Sequence, residues 1–171
     1  MRNRITASRS GVLSIPEIES LINHYNIIIP DGYTFSGNVR DNYVAIHDIQ
    51  QLDVLRDFFL RSPEELRAFD QVMQSKTIPL CNMFVMAWPF FDAYMSWLMP
   101  ILEYCENHID TSSYNSYNQR MVGFIAERLL SVWLVAEGQM ETAISVPASL
   151  IDMTVTKSLM TMSKRFLTGK R

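Results

Sequence analysis

Asn26-Ile27-Ile28-Ile29-Pro30, with Asp31-Gly32 directly behind it, is the stretch on which the fold class turns. Three consecutive β-branched residues suit a pleated surface buried on both sides, and a Pro-Asp-Gly sequence ends such a run in a loop. The segment reads as a buried strand. A buried strand set among helices makes the chain a layered α/β domain rather than a helical bundle.

Towards the amino terminus, Ser14-Ile15-Pro16-Glu17 reads as a helix entrance. Ser14 suits a cap, Pro16 is tolerated in a first turn, and Glu17 favours the positive end of the helix dipole. The helix is expected to reach about His24. Towards the carboxyl terminus, residues 32–47 mix polar and aromatic side chains without a period and read as a loop. Leu52, Leu55, Phe58, Phe59 and Leu60 fall mostly on one side of a helix over 49–60, and Ser62-Pro63-Glu64-Glu65 opens a further helix to about Met73. Asn82-Met83-Phe84-Val85-Met86 reads as a central strand. A long apolar helix over 89–108, bent near Pro100, follows it. A polar loop over 110–118 leads to a last strong helix over 120–137, ended by Gly138. Thr142 to Val146 reads as an edge strand, and 149–167 as a Met- and Thr-rich amphipathic helix with basic neighbours. The organisation expected is a flexible start over 1–12, a domain over 13–138 and an amphipathic basic tail over 139–171.

Composition narrows the function. The chain has 171 residues, 48% of them apolar and 19% charged, enough to bury one sizeable core. A net charge of -3 gives no basic face for nucleic acid. Cys81 and Cys105 form no CxxC, and Cys105-x-x-His108 lacks a second ligand pair, so both read as free, largely buried thiols in a reducing cytosol. Arg2, Arg4 and Arg9 are followed by no apolar segment of secretory type. The apolar stretch from Leu80 to Leu102 is interrupted by Asn82, Pro89, Asp92 and Pro100, too often for a membrane-spanning helix. Trp88, Trp97 and Trp133 lie in apolar surroundings and read as core.

Three blocks carry a family resemblance. Phe91-Asp92-Ala93-Tyr94-Met95-Ser96-Trp97-Leu98, behind Asn82 to Met86, is similar to an "FDxYxxWL" run; Ile109-Asp110-Thr111-Ser112-Ser113-Tyr114 is shorter. Arg120 to Leu134, RMVGFIAERLLSVWL, is similar to "RxxGFxxERLxxxWL". Together the blocks resemble the capsular and exopolysaccharide glycosyltransferase family catalogued as domain of unknown function 4422. Tyr43 and His47, ahead of Ile49-Gln50-Gln51-Leu52-Asp53, look like that family's tyrosine and histidine before a helix. The resemblance covers about Leu13 to Glu137.

The resemblance implies a Rossmann-like, A-type fold, here partial and helix-rich, whose amino-terminal nucleotide-binding part is missing. It implies transfer of a sugar from a nucleotide diphosphate donor to a lipid-linked glycan acceptor in the cytoplasm or at the inner membrane. Longer members leave room for a divalent metal such as Mn or Mg, but this chain has no Asp-x-Asp and no ligand motif. The alternatives are an inactive remnant or acceptor-binding module, and a helical interaction protein. The chain associating with itself, or with the missing half, fits each of them.

Sugar transfer needs the leaving diphosphate stabilised and, in an inverting enzyme, a carboxylate to take the acceptor proton. Glu127, one turn beyond Gly123-Phe124, is the candidate base; the competing reading is an ordinary ion pair with a nearby arginine. Arg120 and Arg128 suit donor or acceptor phosphate, or plain helix-end ion pairs. Asn82 suits a sugar hydroxyl, or backbone groups at a strand edge. His47 suits a phosphate or acceptor, or a structural position. Tyr43, Tyr114 and Tyr117 offer faces for sugar rings, or pack over a core. The 149–167 segment suits an anionic membrane surface, or packing on the domain or in a dimer.

Overall fold

A computed structural model describes residues 13–147 of the chain, so the expectations for 1–12 and for the 149–167 helix lie outside the described residues. Within them the fold is mixed α/β and helix-rich, with two small sheets.

Helix α1 (Ile15–Tyr25) starts as its sequence demands, because the Ser14 amide and hydroxyl both donate to the Glu17 carboxylate, at 2.7 and 2.6 Å. It stops at Asn26, whose left-handed φ of 58° an asparagine tolerates better than most residues. Strand β1 (Ile27–Pro30) follows at once and is buried throughout. Alternation along it divides the core. Ile27 and Ile29 join the main cluster, while Ile28 meets Leu21 of α1 and Ile144 and Val146 on the other face. The isoleucine run is thus the middle of a layer, and β1 is the middle strand of the sheet.

The order is β4-β1-β5. Strand β5 (Ile144–Val146) runs parallel to β1, with Ile28 opposite Ile144, and takes the edge position expected from the sequence. Strand β4 (Val85–Met86) runs antiparallel on the opposite edge. The expected central strand over 82–86 is therefore corrected to a two-residue edge strand. Cys81 and Asn82, at φ 70° and 47°, form a left-handed turn ahead of it, which an extended ladder cannot include.

Residues 32–47 are also more ordered than a loop. Strand β2 (Tyr33–Thr34) pairs antiparallel with β3 (Thr77–Ile78), which the sequence reading missed, and α2 (Val39–Val44) is capped by the Asn38 side chain accepting from the Asp41 amide.

Helices α3 (Ile49–Phe59), α4 (Pro63–Gln74) and α5 (Trp88–His108) form within a residue or two of expectation, α5 continuing through Pro100. Helix α6 (Met121–Ala136) packs between α4 and α5. Its second half is buried almost all round, as expected of a helix apolar on every side. Trp133 sits in that core and Trp97 at its margin, but Trp88, at 73% exposed, is corrected from core to surface. Cys105 is buried as expected; Cys81 is exposed, against expectation.

Candidate functional site

Most of the residues singled out from the sequence converge on the start of α6. The end of α2 and the turn after it bring Tyr43 and His47 beneath it, and a 3-10 turn (Asn118–Arg120) with the residue before it delivers Arg120 and Tyr117. The turn before β4 adds Asn82, whose amide donates to the Gly123 carbonyl oxygen at 3.3 Å. A Cβ added to Gly123 would meet nothing within 4 Å, so the first turn of α6 presents bare backbone to the outside.

The floor is aromatic. His47 stacks on Phe124, at a centroid distance of 4.3 Å, and lies parallel to Tyr117 at 5.9 Å, those two rings touching each other at 4.9 Å, with Tyr43 tilted against it at 4.6 Å. Its Nδ1 lies 3.4 Å from Asn118 Oδ1, a bond made when the ring carries its proton there. Burial of this ring disfavours the imidazolium and pulls its pKa down to about 4, an effect the Asn118 contact opposes and Arg128 assists. His47 is therefore neutral at pH 7.

Behind the stack lies a buried polar line. The Tyr43 hydroxyl, on a wholly buried ring, donates to Gln51 Oε1 at 2.6 Å, and burial pushes its pKa up. The Arg128 guanidinium lies over the same ring, 4.9 Å from its centroid. Arg128 Nη1 donates to Glu127 Oε2 at 2.8 Å and to the Phe124 carbonyl oxygen at 3.0 Å. Arg128 is only 5% exposed, and burial lowers its pKa against the pull of Glu127.

Glu127 marks the boundary between this interior and solvent, with a quarter of its side chain exposed. Burial raises its pKa, while Arg128 and then Arg120 oppose the rise. The carboxylate is thus tuned above an ordinary glutamate and held in one place.

Three residues expected to touch substrate, Tyr43, His47 and Arg128, are turned inward. Asn82, Tyr117, Arg120 and part of Glu127 form the exposed rim, and Tyr114 is half-buried beside Gln51. Phe124, Gln51 and Asn118 were not anticipated, although Phe124 lies one turn before Glu127 and Arg128 and Asn118 follows Tyr117 directly. Neither of two small cavities elsewhere touches this cluster: about 20 Å³ at the ends of β1 and β5, and about 90 Å³ between α2, α3 and α4. The rim is an open surface. Among the described residues no three His, Cys, Asp or Glu side chains converge to hold a metal, and no helix is long and apolar enough to cross a membrane.

Residues 1–138 match the family described as Domain of unknown function (DUF4422). The chain is also similar to the apo structure of WbbM, a bifunctional glycosyltransferase, with a TM-score of 0.66 and 23% identity over 78% of this chain. It spans 24% of that longer chain. No curated protein matches.

Proposed function

This chain belongs to the family described as Domain of unknown function (DUF4422), and from that premise we propose that it forms the acceptor side of a glycosyltransferase of surface polysaccharide assembly. The likeness to WbbM and the parallel β1–β5 pair support reading the fold as a related, partly Rossmann-like arrangement. In this reading a nucleotide diphosphate donor brings the sugar to a lipid-linked glycan acceptor at the cytoplasmic side of the inner membrane.

The observation that carries the proposal is a half-exposed site with one carboxylate at its lip. Glu127 has burial behind it, Arg128 fixed against it, and an aromatic and amide rim around it. An acceptor sugar lies against Tyr117 and the bare turn at Gly123, with Asn82 reaching a hydroxyl. Its attacking oxygen forms a bond to the anomeric carbon of the donor sugar as the bond to the diphosphate breaks. Glu127 takes the proton and the nucleotide diphosphate departs. Arg120, exposed beside the carboxylate, meets the charge gathering on the leaving oxygen. His47 and Tyr43 support the rim from below.

A second reading, an acceptor-binding module without turnover, is favoured by the small size of both cavities, since ligand pockets commonly reach about 300 Å³ or more. One experiment separates the two. The purified chain is titrated calorimetrically with nucleotide diphosphates and nucleotide diphosphate sugars, with and without Mn²⁺, and separately with glycan acceptors. Saturable binding supports the transferase; binding of glycan acceptors alone supports the module.

A further inference from the structure

We propose that Arg128 is a positioning residue that fixes the Glu127 carboxylate and keeps it ionised, rather than a contact for phosphate; this rests on reading Glu127 as the base.

The geometry leaves Arg128 little else to do. At 5% exposed it cannot meet a ligand at the rim, and its Nη1 is divided between the carboxylate at 2.8 Å and the Phe124 carbonyl oxygen at 3.0 Å. Its flat face is set by the Tyr43 ring, which the bond to Gln51 holds in turn. The fixed order is thus Gln51, Tyr43, Arg128, Glu127, running from α3 through α2 to the lip of the site. The guanidinium Nε is buried without a partner, a cost that a surface ion pair would not incur. Glu127, for its part, is disfavoured as a carboxylate by its own burial and needs a nearby cation to stay charged. The charged or titratable groups facing it are Arg128 and Arg120 from its own segment, Cys81 from the turn before β4, and Tyr43 from α2. Arg120 is exposed, so Arg128 is the cation that solvent does not screen.

The test is a carbon-13 titration of the Glu127 carboxyl in the whole chain, which requires no substrate. In Arg128→Gln its midpoint moves to higher pH, and in Arg128→Lys it returns most of the way to wild type. An unmoved midpoint in a folded Arg128→Gln protein overturns the proposal. If neither variant folds, nitrogen-15 spectra of the unaltered chain decide. Slow rotation and distinct Nη signals for Arg128, lost in Glu127→Gln, support the proposal; a freely turning guanidinium overturns it. Coupling that is intact while transfer survives Glu127→Gln removes the base assignment and leaves the Arg128–Glu127 pair standing.

Discussion

The imidazole of His47 lies against the ring of Phe124, centroids 4.3 Å apart and planes 27° from parallel, so the turn after α2 meets α6 through a neutral histidine. Protonating it sets a charge within an aromatic stack, next to a buried guanidinium.

Stability is therefore expected to depend on pH through His47. Its folded pKa of about 4 lies below the ordinary 6.5, so the unfolded chain binds the extra proton across that interval. The contribution is complete above pH 6.5 and is lost as the pH falls towards 4, with an upper limit of about 3 kcal/mol. Urea unfolding of the wild type between pH 4 and 8 shows the loss, and His47→Phe, which keeps the stack, flattens that part of the slope. A parallel slope in both proteins places the effect on other groups.

Transfer is expected to follow the ionisation of Glu127. Because burial raises its pKa, activity falls with decreasing pH at a value above that of an ordinary glutamate. Glu127→Gln lowers the rate about 10²- to 10⁴-fold with the circular dichroism spectrum unchanged. Rates of nucleotide diphosphate release across the pH range check both statements.

The three tryptophans are expected to separate in urea. Trp133, 3% exposed and 5.2 Å from the Tyr94 ring, costs about 3–5 kcal/mol on truncation to alanine. Trp88→Ala, at an exposed helix start, stays within about 0.5 kcal/mol of wild type. Trp97 falls between, since its indole N–H donates to Glu65 and ties α5 to α4.

Gly32 is expected to tolerate no side chain. A Cβ there would stand 2.5 Å from Cγ2 of Thr77 across the β2–β3 pair. Gly32→Ala costs about 1–3 kcal/mol. Thr77→Ser removes that methyl and keeps the hydroxyl that meets Thr34 Oγ1 at 3.0 Å, so the double variant recovers most of the loss. Additive losses in the double-mutant cycle would point to strain elsewhere.

Features set by local period were legible in the sequence. Ile27 to Ile29 announced a buried strand, though not its central place in the sheet, and the spacing in α3, α4 and α6 placed those helices. What stayed hidden depended on distant partners. Tyr33 and Thr34 are a strand only because Ile78 and Thr77 lie opposite, more than forty positions away. Asn82 to Met86 has strand composition, but Cys81 and Asn82 spend it on a left-handed turn. The site was legible as a set of residues and not as an arrangement. Tyr43 and Arg128 carry groups that elsewhere meet ligands, and only the packing of α2 against α6 shows them facing each other.

The pairing of Ile28 with Ile144 also dictates an order of assembly, because the two lie more than a hundred positions apart. A chain leaving the ribosome can join β1 to β4 early, yet the second side of β1 stays open until almost every described residue has been made. Closing so long a loop is entropically slow, and contacts of such separation are formed late in folding. The last few residues of the described fold thus act as a latch: while Ile144 to Val146 are still in the exit tunnel, the three isoleucines offer an unguarded edge to neighbouring chains.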